Sequence, residues 1–568
     1  MDRWMKIKIA VGAVLAVLVL AVLSAALVHK YTPNHSMMAL SEYYYVEESE
    51  AMLILETSVY EQNAQLQNGG IYIPYALFVE LVESDFYYDA EEKVLSCVRP
   101  GEWVQARVGE TDCTVNGETH KETAAPLVFL EGELYLSLEF AARYAELTYE
   151  FYEGPNRVLL HYQWVDTLCL DTKGEETPLR FEADIKSKVL RNLPEGTRLY
   201  YLAGTGTGRK SFLRVMTEDG ICGYVQRKFL GDSYYLAKSS GYQEPETEFL
   251  TLDGHVRLGW HQITRAEANG NLAVVTKNAG AMNVIAPTWY RVVDAEGGIS
   301  SLSDAAYVQQ AHDMGLLVWA LVDNFDTSVD FLELLSSTSA RRRLIDGLVS
   351  DVRAVGADGI NLDFEALSAK CGPHYVQLIK ELSVVCHEEG LALSVDNYVP
   401  ASYNRFYDLK TQGRYVDYVI IMAYDEHYSG SPEAGSVSSI GFVQEALRNT
   451  LEKVNRERIV MGIPFYTRLW KETEENGTIR LTSEAMTMEQ AENVLLQNGV
   501  TAEWNSETAQ YYAEYTHNGV TYKVWLEDSA SLEEKLRVIA DGETAGMAAW
   551  RLGFEKEGIW ELILTYIP

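Results

Sequence analysis

The amino-acid sequence predicts an α/β protein: a (β/α)8 barrel over residues 251–568, preceded by an N-terminal apolar helix, an α+β segment and a small all-β segment. Three observations predict it. From about residue 251 onward, short apolar strand-like runs alternate with helical patterns, as in a βα repeat on a parallel sheet. Within that region the run Asp358-Gly-Ile-Asn361-Leu-Asp363-Phe-Glu365 alternates apolar with oxygen-bearing side chains. At the other end of the chain, Arg3, Lys6 and Lys8 precede an apolar stretch from Ile9 to Val28, broken only by Gly12 and Ser24.

That apolar stretch has the roughly twenty residues needed to cross ~30 Å of hydrocarbon. Its basic flank places the N-terminus in the cytoplasm and everything after it outside. Ser24-Ala25-Ala26 offers small residues for cleavage. The run is nevertheless longer than a signal-peptide core and has no clear A-x-A site, so residues 1–30 are read as an uncleaved signal anchor, single-pass in the cell membrane.

Residues 31–165 contain a repeat. Gly70-Ile-Tyr-Ile-Pro74, Phe86-Tyr-Tyr-Asp and Val94-Leu95 are echoed by Glu133-Leu-Tyr-Leu-Ser137, Leu147-Thr-Tyr-Glu and Val158-Leu159. Each unit reads strand, short amphipathic helix, hairpin. The segment resembles the stalk module named after the amino-terminal domain of copper amine oxidases. The resemblance does not imply copper, because His35, His120 and His161 have no ligand spacing. Residues 166–235 follow as short strands and turns. Ser187-Lys-Val-Leu-Arg-Asn-Leu-Pro-Glu-Gly196, Phe212-Leu-Arg-Val215 and Asp219-Gly-Ile-Cys-Gly-Tyr-Val225 resemble a bacterial Src-homology-3-like domain, a type that either holds cell-wall peptide or spaces a catalytic unit. The run Gly204-Thr-Gly-Thr-Gly-Arg-Lys-Ser211 has Arg209 where a phosphate loop needs Gly and sits between short strands, so it is read as a hairpin loop. Residues 236–250 form a polar linker.

The 568 residues include 47 Lys and Arg against 82 Asp and Glu, a formal net charge of -35. Nucleic acid and anionic membrane surfaces are poor partners for such a chain, since both select clustered cations. Six cysteines occur without a C-x-x-C, which removes zinc ribbons and redox motifs. Cys371 and Cys386 bracket a predicted helix and stand roughly 22 Å apart, too far to pair. Cys97 with Cys113, or Cys169 with Cys222, stay open as pairs.

The predicted barrel strands are His255 to Gln262, Met282 to Pro287, Leu316 to Val322, Gly359 to Glu365, Ala392 to Asp396, Tyr418 to Tyr424, Ile459 to Pro464 and Gly546 to Trp550. A barrel of this kind carries its chemistry at the carboxyl ends of the strands. On the fourth, residues 361, 363 and 365 share one face and 360, 362 and 364 the other. Burying such a row costs several kcal/mol unless each group is paired, which favours a site over a packing solution, a solvated edge strand being the plainer alternative. Asp363 and Glu365 would stand roughly 7 Å apart along a strand, close enough for one charge to raise the other's pKa. A Glu held protonated near neutrality is a general acid.

Asp358-Gly-Ile-Asn361-Leu-Asp363-Phe-Glu365 resembles the DGxDxDxE signature of the family 18 glycoside hydrolases, the chitinase-like enzymes. Further landmarks recur in order. Met422-Ala-Tyr424-Asp425 is similar to the family's M-x-Y-D motif, and Trp550 to its closing Trp. The resemblance implies a substrate-assisted reaction in which the sugar's own acetamide oxygen attacks the anomeric carbon. Glu365 would be the acid, Asp363 would orient the acetamide, and Tyr424 would hold its oxygen. Asn361, Met422, Asp425 and Trp550 would help bind substrate, with Trp289 and Tyr466 as further sugar contacts. Trp260, Tyr398 and Trp470 also fall near strand ends. Asn361 departs from the Asp common at its position, a departure shared with members resembling the spore-cortex and germination branch.

The implied partner is an N-acetylglucosamine-containing glycan, peptidoglycan or chitin oligomers, with no cofactor and no metal. An insertion at about 471–527, with a helical segment Met488 to Gln497 and a hairpin turn at His517-Asn-Gly519, corresponds to one that walls the cleft in the family. Two other readings stand beside this one. One is a non-catalytic glycan-binding protein on the same fold, against which Glu365 argues. The other is a metal-dependent barrel using Asp358, Asp363 and Glu365, against which the lack of a completing His argues.

Overall fold

The computed structural model describes residues 2–82, 85–202, 211–475 and 478–568. All of the Gly-rich run except Ser211 lies outside the described residues. The chain divides into two compact units, one of residues 1–85, 106–113 and 121–244, the other of residues 86–105, 114–120 and 245–568.

The first unit opens with the helix Arg3–Tyr31, which buries no residue and is long and apolar enough to cross a membrane. Behind it, the strand Glu50–Leu55 pairs parallel with Arg157–His161 and antiparallel with Ala64–Gln67. The repeated strands Gly70–Pro74 and Glu133–Ser137 pair with each other, and each runs directly into a short helix, Tyr75–Leu81 and Leu138–Tyr144. Ser137 caps the second helix by accepting from Phe140 N. Between Thr167 and Leu236 the chain forms an all-β, seven-stranded sheet. Cys169 and Cys222 lie on strands of that sheet with two others between them, roughly 14 Å at 4.8 Å per strand, so they cannot bridge. All six cysteines are buried and none forms a disulfide, Cys97 and Cys113 included.

The second unit is built on eight parallel strands: β1 Val256–His261, β2 Val284–Val292, β3 Leu317–Asp323, β4 Gly359–Asp363, β5 Ala392–Tyr398, β6 Tyr418–Met422, β7 Ile459–Pro464 and β8 Gly546–Trp550. Each pairs with the next, and β1 closes the ring by pairing with both β2 and β8. Alternation along the strands sorts their side chains into two layers. Val256, Leu258, Trp260, Val284, Ala286, Trp319, Leu321, Ile420 and Ala548 fill the interior. Ile285, Val318, Ile360, Leu362, Val395, Ile421 and Met547 pack outward in the larger core with the helices. Gly359 opens β4 because a Cβ there would stand 2.5 Å from the Ala392 carbonyl oxygen.

One departure from the sequence reading bears on function. β4 ends at Asp363, two residues before the expected end, and Ala366 adopts φ 52°, so Glu365 sits on the turn that leaves the sheet. Within the segment 31–165, residues 86–105 and 114–120 group by their contacts with the barrel. There Asp89 Oδ2 accepts from Thr338 N and Oγ1 at 2.8 Å, and Glu92 Oε1 accepts from Ser339 N at 2.9 Å, capping the barrel helix Thr338–Val355. Tyr415 OH donates to Val98 O at 2.9 Å.

The insertion starts at Tyr466 rather than near 471. Its five-stranded sheet is formed by Tyr466–Glu475, Thr478–Thr487, Glu503–Asn505, Gln510–His517 and Val520–Trp525, with the helix Met488–Asn498 packed on it. Asn518 and Gly519 both take positive φ, 52° and 78°, the geometry of a tight hairpin turn.

Candidate active site

A cavity of about 660 Å³ opens at the carboxyl ends of the barrel strands, and Asp363, Glu365, Met422, Tyr424, Asp425 and Trp550 all line it. Asp363, Met422 and Trp550 end β4, β6 and β8 at inward positions, and Glu365, Tyr424 and Asp425 stand on the turns just beyond β4 and β6. Trp260 lines it from β1, its ring 6.1 Å from Trp550 and 6.4 Å from Tyr424.

Glu365 is held by its backbone. Asn324 Oδ1 accepts from Glu365 N and Asn324 Nδ2 donates to Glu365 O, both at 2.8 Å. Tyr398 OH donates to Glu365 Oε2 at 2.7 Å and accepts from Ala366 N at 3.2 Å. Burial pushes the Glu365 carboxyl up, the Tyr398 hydrogen bond pulls it down, and Asp425 and Asp323 push it up again, leaving it above the usual carboxylate range. Asp363 is raised further, first by burial and then by Asp396, Glu365 and Asp323. The Asp323 carboxylate is itself matched by Arg291 through two hydrogen bonds of 2.7 and 2.9 Å.

Three of the expected contacts lie elsewhere. Asn361 is fully buried beneath the cavity, where its Oδ1 accepts from Trp260 Nε1 at 2.9 Å and its Nδ2 donates to Asp396 Oδ1 at 2.8 Å. Tyr466 is buried and reaches the site only through Asp425, donating to its Oδ1 at 2.5 Å. Trp289 is not at the cavity. It stands where the register of β2 against β3 shifts between Thr288 and Tyr290; its side chain sits in the core outside the barrel, donates to Asn269 Oδ1 at 2.9 Å and meets the Tyr307 ring at 5.1 Å. Trp470 is likewise buried, donating to Gly435 O at 2.8 Å. Asp358 lies at the opposite end of β4, accepting from Val318 N at 2.8 Å, so it does not join Asp363 and Glu365.

Asp396 and Arg468 also line the cavity, and the motif reading missed both. The alternation Ser394, Asp396, Tyr398 on β5 carries the signal for the first, three polar side chains at alternate positions of one strand. Arg468 comes from the first strand of the insertion, which thereby contributes to the cavity wall.

A parallel barrel with two carboxyls and edge-to-face aromatics at its carboxyl face is an arrangement suited to a barrel glycosidase. Residues 280–555 match the family model of Glycosyl hydrolases family 18, so the chain carries a domain of that family and is a glycosidase of its type. Residues 54–160 match the Copper amine oxidase N-terminal domain. The chain is 26% identical over 304 residues to the uncharacterized glycosylase YvbX of Bacillus subtilis, covering 51% of this chain and 86% of that protein. It is 29% identical over 237 residues to the cortical fragment-lytic enzyme of Bacillus subtilis, covering 40% of this chain and 54% of that protein. The crystal structure of the Bacillus cereus spore cortex-lytic enzyme SleL shares the fold, with a TM-score of 0.50 at 20% identity over 59% of this chain and 77% of that one.

Proposed function

We propose that the chain is a cell-surface glycosidase that cleaves β-1,4 bonds next to N-acetylglucosamine in peptidoglycan or chitin-like glycans, with retention and with the sugar's acetamide as nucleophile. The observation that carries the reading is the meeting of Glu365, Asp363 and Tyr424 in one cavity beside Trp550 and Trp260. Glu365 is half-buried with a raised pKa, which suits a group that donates a proton to the leaving oxygen and later takes one from water. Asp363 Oδ1 is buried without a hydrogen-bond partner among the described residues, an acceptor left over for a ligand N–H such as that of an acetamide. Tyr424, its hydroxyl held protonated by burial, is a donor for the acetamide oxygen.

The helix Arg3–Tyr31 serves in this reading as the membrane anchor that displays the barrel outside the cell. The cortical fragment-lytic relative favours peptidoglycan as the glycan. The all-β sheet between Thr167 and Leu236 is then a candidate holder of wall peptide.

The test is hydrolysis of N-acetylglucosamine oligomers and purified peptidoglycan by the full chain in detergent, beside the same oligomers de-N-acetylated. Cleavage confined to acetylated glycans, with the β-anomer released first by NMR, is the expected result. Cleavage of the deacetylated oligomers at equal rate would sink the acetamide mechanism. Binding without cleavage would put the glycan-binding reading in its place.

Tyr398→Phe gives a second check. Removing the 2.7 Å hydrogen bond withdraws an interaction that favours the Glu365 carboxylate, so its pKa rises and the acid stays protonated to higher pH. The alkaline limb of the kcat profile is expected to move upward. A limb that moves down or stays would argue against Glu365 as the titrating acid.

A further inference from the structure

One wall of the cavity takes no part in the reaction proposed above, and it is aliphatic. Val399, Pro400 and Ala401, on the loop after β5, line it together with Tyr403, which is 76% exposed, and Phe442 of the helix Ile440–Leu451. The protein itself engages the polar groups of that loop. Asn404, buried, donates from Nδ2 to Val399 O at 2.9 Å and accepts at Oδ1 from Ala401 N at 2.8 Å, while Asn449 Nδ2 donates to Pro400 O at 3.0 Å. Pro400 has no N–H to offer. Residues 399–401 therefore present carbon to a ligand. Sugar hydroxyls find no partner on such a surface and lose by being covered there, whereas methyl-bearing groups gain.

Arg468 supplies the second observation. Its guanidinium lines the same cavity and makes one hydrogen bond among the described residues, from Nη1 to Ser483 Oγ at 3.3 Å. The Nε is sealed and has no acceptor. None of the carboxyls that line the cavity is bonded to it: Asp425 accepts from Tyr466 OH, Glu365 accepts from Tyr398 OH, Asp396 accepts from Asn361, Asp363 Oδ1 has no partner among the described residues, and Glu445 is exposed. In a chain of formal net charge -35, an arginine on a cavity wall with no carboxylate bonded to it is a place for a ligand's anion.

We propose that this wall takes a peptide carried by the glycan, so that the substrate is a peptide-substituted N-acetylated glycan: small aliphatic side chains of the peptide lie on Val399, Pro400, Ala401 and Phe442, with Tyr403 beside them, and a peptide carboxylate meets Arg468. The inference rests on the glycosidase reading above and narrows its substrate. A chitin chain would satisfy neither the aliphatic wall nor the cation, and a bare sugar acid would satisfy the cation alone. Val399 directly follows Tyr398, whose hydroxyl donates to Glu365 at 2.7 Å, so the wall begins beside the group that protonates the leaving oxygen. The peptide it takes is accordingly one borne by the leaving sugar. Asn404 and Asn449 fix the loop in advance, which removes an ordering cost from binding.

The experiment is kcat/KM of the full chain in detergent on three soluble glycans: peptide-bearing chains from peptidoglycan, the same chains after an amidase has cut the peptide from the lactyl group, and N-acetylglucosamine oligomers. The peptide-bearing chains are expected to be cleaved at least ~10-fold more efficiently than the stripped ones, the scale on which a matched substrate group discriminates. Tyr403→Ser and Arg468→Gln should each bring that ratio toward one, the loss falling on the peptide-bearing chains. An equal loss on all three glycans would mean that these residues serve the sugar or the fold, and overturns the proposal. Stripped chains cleaved as well as peptide-bearing ones, both ahead of the oligomers, would give Arg468 to the lactyl carboxylate and overturn it too. If neither variant folds, the parent's ratio decides alone. A parent that cleaves all three alike sinks this inference and leaves the glycosidase reading standing, whereas a parent that cleaves none of them sinks the reading on which it rests.

Discussion

Replacing Glu365 by Gln is expected to cut kcat on N-acetylglucosamine oligomers at least ~100-fold, the usual size of an acid-base contribution, while the melting transition stays where it is. The side chain is half-buried on the turn after β4, and Gln has the same shape as the neutral acid. The amide oxygen can still accept from Tyr398 OH, and the two Asn324 hydrogen bonds run to the backbone of residue 365, which the substitution does not touch. Fold and ground-state binding should therefore survive, with KM little changed, and the loss should fall on the step that moves a proton. An amide has no proton to give the leaving oxygen and cannot take one from water. Activity that persists would move the acid to another carboxyl on the cavity, Asp425 or Glu445. Loss of activity together with loss of the melting transition would say only that residue 365 is structural, which is why both are measured on one preparation.

The barrel was legible because its strands obey local rules. Alternation marks β4 and a continuous apolar run marks β6, and the observed strands fall within two residues of the expected ends at the motif. Where the reading slipped, the cause was non-local. Phe364 continues the alternation and stays buried, so nothing in the sequence reports that β4 has ended at Asp363; the left-handed Ala366 that turns the chain carries no glycine to mark it. Trp289 looked like a strand-end aromatic, yet the strand runs on to Val292, which places the ring mid-strand and facing out. Asp396 was passed over because a lone Asp acquires meaning only beside Asn361 of the neighbouring strand. The hydrogen bond from Thr338 to Asp89 spans some 250 residues and no local pattern reports it.

Glu381→Gln is expected to destabilise the second unit by about 3–5 kcal/mol, read as a lower urea midpoint, the range found when one partner of a buried ion pair is removed. Arg341 and Glu381 are both fully buried, joined from Nε at 2.9 Å and Nη2 at 3.0 Å. Around them Gln377 Nε2 donates to Glu381 at 2.8 Å, Ser96 Oγ donates to it at 3.2 Å, and Arg341 Nη1 donates to Leu335 O at 2.8 Å. The guanidinium lies 4.7 Å from the Tyr87 ring, so the pair is sealed in part by the hairpin that precedes the barrel in sequence by more than a hundred residues. Gln in place of Glu381 leaves that cation without a counter-charge and points an NH2 group at donors. Because the cost comes from the orphaned charge rather than from a lost contact, the double variant Arg341→Met/Glu381→Leu should recover much of the stability that the single change loses. A double variant as unstable as Glu381→Gln would mean that packing, not charge, is what the pair supplies. Removing residues 86–105 while keeping Arg341 and Glu381 should act in the same direction as the single change, since it lets water reach the pair and strips the caps that Asp89 and Glu92 place on the helix Thr338–Val355.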